Sequence, residues 1–132
     1  MTSASSETIH VAQAAFQDFS HGLATGEWSR FLACLSDDFT FWFPAGPFKG
    51  LNSSKDQAEA FFATVANVFP EGLTLNLERT LSSENTVLFE VQSQGLMLGH
   101  PYENQAAISF DVAGDKICGY REYLGVIFQI GE

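Results

Sequence analysis

An α+β fold is what the sequence predicts, and three observations predict it. Apolar residues recur at steps of three and four through the first half of the chain, the mark of helices with one buried face. From Leu73 onward the period drops to that of long β-strands. The connections in this second half, Ser83-Glu84-Asn85, Gly99-His100-Pro101 and Ala113-Gly114-Asp115, are short and turn-like, so consecutive strands pair antiparallel as a meander.

Residues 1–6 read as a polar lead-in, and Ser5 or Ser6 can cap a first helix whose apolar stripe is Ile9, Ala12, Phe16, Phe19 and Leu23. Gly26 supplies its left-handed stop. A second, short helix carries Trp28, Phe31, Leu32 and Leu35 on one side, and Asp37-Asp38 then breaks into the aromatic strand 39–43. That strand ends at Pro44 and enters the Gly46-Pro47-Phe48-Lys49-Gly50 loop, which places aromatic walls beside a turn and suggests a pocket. Ser54 and Gln57 form a capping-box pattern ahead of a third helix with Ala58, Phe61, Phe62, Val65 and Phe69 inward, closed by Pro70-Glu71-Gly72. Strands are expected at about 73–82, 86–98, 102–112 and 116–130.

A chain of 132 residues suits a single domain, 1–132, able to bury a core without metal or disulfide staples. Six Lys plus Arg against 16 Asp plus Glu leave a net charge of −10, which opposes phosphate backbones and anionic lipid, so no nucleic-acid and no membrane partner is expected. No apolar run approaches the ~20 residues of a membrane span, and the expected location is cytoplasmic. Cys34 and Cys118 form no CxxC pair and read as buried free thiols. His10, His21 and His100 lack metal-ligand spacing, the first two lying roughly 16 Å apart along one helix, so no metal and no cofactor are expected.

The order of these elements, together with Gly26-Glu27-Trp28, Leu35-Ser36-Asp37-Asp38-Phe39, the 44–50 loop, Gly99-His100-Pro101-Tyr102-Glu103-Asn104, Gly114-Asp115-Lys116-Ile117 and Arg121-Glu122-Tyr123, resembles the nuclear-transport-factor-2-like superfamily. Within it the resemblance is to the ketosteroid-isomerase-like and polyketide-cyclase (SnoaL-like) branch, over nearly the whole chain. It implies a cone-shaped, curved antiparallel sheet wrapped around the long N-terminal helix with two shorter helices, a pocket at the open end, and a homodimer through the outer sheet face. Ketosteroid isomerase uses an aspartate base with a tyrosine and a protonated aspartate as oxyanion donors. By motif alignment those positions are Phe43, Phe19 and near Ala106 here, so that mechanism is not expected.

Alternate strand residues face opposite sides. Val87, Phe89 and Val91 form an apolar face, leaving Glu90, Gln92 and Gln94 outside; Tyr102, Asn104, Ala106, Ile108 and Phe110 share a second; Cys118, Tyr120, Glu122, Leu124, Val126 and Phe128 share a third, with Arg121 and Tyr123 outward. Asn104, Tyr120 and Glu122 are the polar members of apolar inward sets and form the candidate catalytic site. A carboxylate in an apolar cone has its pKa raised by desolvation, which suits Glu122 to a proton shuttle. Asn104 can orient a carbonyl or water, and the Tyr120 hydroxyl can support developing negative charge. The competing reading is structural: Glu122 pairs with Tyr120 or Asn104 merely to satisfy buried polar atoms, or a bulge reverses the parity and turns Glu122 to solvent. Phe16, Phe19, Phe41, Phe43, Phe61, Val65, Phe89, Val91, Ala106 and Leu124 are the candidate lining of a cavity for a small apolar molecule.

Three functions follow from this site: an isomerase, cyclase or hydratase acting on an apolar carbonyl compound; a noncatalytic binder of a small apolar metabolite; or a dimeric interaction module working through Glu90, Gln92, Arg121 and Tyr123.

Overall fold

The computed structural model describes residues 3–125. Helix α1 (Ser6–Thr25) begins where the Ser5 side chain accepts a hydrogen bond from the Thr8 N–H, and ends at Gly26, whose φ of 80° is the left-handed value that favours a residue without Cβ. Helix α2 (Ser29–Leu32) is one turn, shorter than expected, because Leu35 already pairs with Ile117 on a distant strand. Strand β1 (Leu35–Phe43) therefore starts before Phe39, and Asp37 and Asp38 lie within the strand rather than in a turn. A 3-10 turn (Gly46–Phe48) leads to β2 (Gly50–Ser53), a short strand antiparallel to β1 in a segment expected to be loop.

Helix α3 (Lys55–Val68) carries the expected cap, offset by one residue: Ser54 Oγ accepts from the Gln57 N–H, while the Gln57 side-chain oxygen accepts from the Ser53 N–H. Strands β3 (Leu73–Ser83), β4 (Thr86–Met97), β5 (His100–Ala113) and β6 (Lys116–Gly125) follow as an antiparallel meander. Two-residue turns join them; at Leu98-Gly99 both φ values are positive, as the tight hairpin twist demands. His100 thus opens a strand instead of sitting in the turn.

The sheet order is β2-β1-β6-β5-β4-β3. β1 runs parallel to β6, which makes the sheet mixed rather than antiparallel throughout. No hairpin joins these two strands, so turn geometry does not set their direction. Register shifts at Leu77/Arg79, Asp111/Val112 and Leu35/Thr40 are the irregularities that let such a sheet bend.

The concave face packs on α1 around Phe19, whose ring lies 5.2–6.1 Å from those of Trp28, Phe31, Phe62, Phe110 and Tyr120. These distances suit edge-to-face and tilted aromatic contact. Trp28 stacks on Phe62 at 4.2 Å and lies flat over Gly22, where an added Cβ would meet the indole at 2.4 Å. Inward parity on β4 and β5 is as expected, with Ser93 continuing the Val87-Phe89-Val91 set.

On β6 the parity reading needs one correction. Asp111 pairs with Gly119 and Val112 with Ile117, so Cys118 is an extra, bulged residue. Ile117 and Tyr120 are both buried, and Cys118 leaves the inward set. The bulge therefore lies ahead of the candidate carboxylate and does not send it outward. Both cysteines are half-buried rather than buried. Val126, Phe128 and the predicted end of this strand lie outside the described residues. Among the described residues no helix is long and apolar enough to cross a membrane.

Candidate functional site

Strands β5 and β6 align Ala106 with Leu124, Ile108 with Glu122 and Phe110 with Tyr120, so the concave face changes from aromatic to polar along one pair of strands. Toward the open end Asn104, Tyr120 and Glu122 all line an inner chamber of about 60 Å³. A site for one water needs about 10–15 Å³ measured this way, so the chamber holds the head of a small ligand and little more.

Two separate hydrogen-bonded groups line it. Tyr120, 1% exposed, donates its hydroxyl proton to Glu122 Oε1. Separately, the Ser93 hydroxyl donates to Asn104 Oδ1, and Asn104 Nδ2 donates to the Tyr102 hydroxyl oxygen. Asn104 thus shares the chamber with Glu122 and Tyr120 without bonding to either. Ser93 and Tyr102 are functional candidates that the sequence reading did not select, although each continues an inward-facing parity set.

Burial pushes the Glu122 carboxyl up to about 7, against a smaller downward pull from the Tyr120 hydrogen bond. Burial also pushes the Tyr120 hydroxyl well up, and the Glu122 charge adds to it. The Tyr102 hydroxyl is raised by burial and further by the Glu122 charge, with the Asn104 bond acting in the opposite direction. Phe19, Phe43 and Ala106, the positions where the ketosteroid isomerase pattern carries acid or hydroxyl groups, all line this chamber. Glu122 is the one carboxyl among its described lining residues.

A larger apolar vestibule of about 350 Å³ adjoins the chamber and shares Phe43, Phe61, Val65, Phe69, Tyr102 and Leu124 with it. Of the candidate lining set, Phe19, Phe43, Phe61, Val65, Ala106 and Leu124 border the chamber. Phe16, Phe41, Phe89 and Val91 sit instead in the packed core, where Phe16 stacks on Phe89 at 4.3 Å. Among the described residues no three His, Cys, Asp or Glu side chains converge as a metal site.

Residues 16–120 match the model of the SnoaL-like domain. An NTF2-like protein from Anabaena variabilis ATCC 29413 is 52% identical, with a TM-score of 0.91 over 96% of each chain. A candidate SnoaL-like polyketide cyclase from Jannaschia sp. CCS1 is 16% identical, with a TM-score of 0.73 over 89% of this chain and 85% of that one. A protein of ketosteroid isomerase-like fold from Catenulispora acidiphila DSM 44928, in complex with trimethylamine, is 13% identical, with a TM-score of 0.72 over 85% of each. No curated protein matches the chain.

Proposed function

The chain belongs to the SnoaL-like domain family of the nuclear-transport-factor-2-like superfamily, and on that premise we propose that it is a cofactor-independent enzyme, an isomerase, cyclase or hydratase, that moves a proton on a small apolar carbonyl compound. One observation carries this reading: the Glu122 carboxyl, with a pKa of about 7, lines a chamber that shares six lining residues with an apolar vestibule. Such a group is present in both protonation states at neutral pH, and positioned acid–base groups of this kind contribute about 100- to 10,000-fold in rate. Tyr120 holds Oε1, while Oε2 makes no hydrogen bond among the described residues and can take a substrate proton.

Deuterium exchange into 2-tetralone, a compact apolar ketone with acidic C–H bonds beside its carbonyl, tests the proposal. In heavy water at neutral pH the protein should accelerate incorporation at C1, followed by proton NMR, and Glu122→Gln should remove the acceleration. Equal rates for the two proteins sink the proposal.

The vestibule, apolar and about 350 Å³, favours a second reading, a noncatalytic binder of a small apolar molecule. Binding of 2-tetralone with no faster exchange would select it. In either reading residues 1–132 work as one domain within a homodimer joined through the outer sheet face. Exposed Leu81 and Tyr123, of outward parity on the sheet strands, support that arrangement, which sedimentation velocity reads directly.

A further inference from the structure

Hydrogen bonds in the chamber give its two tyrosines different duties. Tyr120 commits its proton to Glu122. The Tyr102 oxygen, by contrast, accepts from Asn104 Nδ2, whose Oδ1 is in turn occupied by Ser93. With the Asn104 amide fixed in this direction, Tyr102 keeps its own proton, which makes no hydrogen bond among the described residues. Its ring packs edge-on against Phe69 at 5.2 Å and borders both chamber and vestibule. A hydroxyl held by an acceptor-directed amide, at the neck between polar head space and apolar body space, is placed to donate to a ligand.

The charge of the lining narrows what that ligand is. None of the chain's cationic or imidazole side chains, Arg30, Lys49, Lys55, Arg79, Lys116, Arg121, His10, His21 or His100, lines either space. An anionic head would be desolvated beside the Glu122 carboxyl with no cation to pair with it. An ammonium head would pair with Glu122 but present a second donor to Tyr102. An uncharged carbonyl satisfies both groups, its oxygen accepting from Tyr102 and its neighbouring C–H meeting Glu122.

We infer that Tyr102 is a catalytic hydrogen-bond donor to the oxygen of an uncharged ketone or enone, oriented by Asn104 and Ser93; this rests on the proton-transfer reading of Glu122. Glu122 takes the proton as the C–H bond breaks, and the electron pair moves through the carbonyl onto the oxygen held by Tyr102. Return of that proton to the same carbon, or to the far carbon of an enone, regenerates the carboxylate with no net oxidation.

The experiment uses 2-tetralone labelled with carbon-13 at the carbonyl, with 2-naphthoate and 2-aminotetralin as the acid and amine probes. Wild-type protein and Glu122→Gln should both shift the bound carbonyl resonance downfield, the signature of a donated hydrogen bond, and Tyr102→Phe should abolish that shift. Tyr120→Phe should retain it. Asn104→Asp should also lose it, because a carboxylate there draws the Tyr102 proton to itself. In the exchange assay Tyr102→Phe should lower kcat/KM by about 100-fold, as removal of a single oxyanion donor does, while the pH midpoint set by Glu122 stays in place.

The carbonyl shift does not depend on turnover, so it separates the two ideas. A Tyr102-dependent shift without Glu122-dependent exchange removes the catalytic reading and keeps the donor. Persistence of the shift in Tyr102→Phe overturns the donor, as does no saturable 2-tetralone binding or tighter binding of the naphthoate or the amine.

Discussion

The hairpin end of strands β5 and β6 and their open end are built from the same two strands, yet their inward side chains meet opposite surroundings. Near the hairpin, Phe110 and Tyr120 are enclosed by Phe19, Phe31 and Phe62, ring against ring. Toward the open end, Asn104, Ala106, Glu122 and Leu124 line hollow space. The difference separates packing from hollow space: aromatic contacts at one end hold the strands, and that rigidity lets the other end keep a desolvated carboxyl beside a cavity. Tyr120 joins the two, with its ring in the aromatic cluster and its hydroxyl on Glu122.

Truncation at the closed end should have the largest effect. Phe31 is fully buried against Phe19, Trp28, Phe62 and Phe110, so Phe31→Ala should cost about 3–5 kcal/mol, measured as a shift in the urea unfolding midpoint. A cost no greater than that of an open-end truncation would break the contrast.

The pH dependence of stability sharpens it from the other side. Glu122 is raised from 4.5 to about 7 in the folded chain, so between those values the folded state keeps a proton that the unfolded state has released. Stability from this group is therefore greatest below about 4.5, falls as pH rises, and levels off above about 7. Tyr102 and Tyr120, the titratable groups facing it, both stay protonated across this window. Glu122→Gln should remove the slope, and its advantage over wild type should grow across the window by roughly 3 kcal/mol. A constant difference between the two proteins from pH 4 to 8 would mean the carboxyl is hydrated.

Overpacking the closed end should be tolerated less well than its chemistry suggests. Gly22→Ala drives a methyl into the Trp28 ring and should cost about 1–3 kcal/mol despite the better helix propensity of Ala. Smallest of all should be Leu124→Ala at the open end, about 1 kcal/mol in thermal or urea unfolding, because the side chain already borders the chamber and the vestibule. A larger loss there would show that the open end carries weight in folding.

Local rules made most of the scaffold legible. Ser5, Gly26 and Ser54 mark helix ends because capping is decided within four residues, and alternation placed Val87, Phe89, Val91, Asn104, Ala106 and Ile108 inward because strand parity is equally local. What was missed depends on distant partners. The parallel pairing of β1 with β6, and the early start of β1 at Leu35, come from a strand more than 70 residues away. Of the site, Glu122, Tyr120 and Asn104 stood out as polar letters in apolar sets. Ser93 and Tyr102 obey the same parity, but a serine ending an alternating run and a tyrosine next to a proline carry no chemical flag until the fold brings them to Asn104.

The bulge at Cys118 sets which face of β6 lines the chamber. Ahead of it the inward residue is Ile117; after it the inward residues are Tyr120, Glu122 and Leu124. If Cys118 alternated regularly instead of bulging, the odd-numbered series would continue inward and present Arg121 and Tyr123 to the hollow, exchanging an acidic interior for a basic one with no side chain altered. The sign of the cavity is therefore a matter of counting. A relative with one residue fewer between hairpin and acid would need no bulge to turn the same carboxylate inward, whereas one that kept the length and lost the bulge would turn it outward.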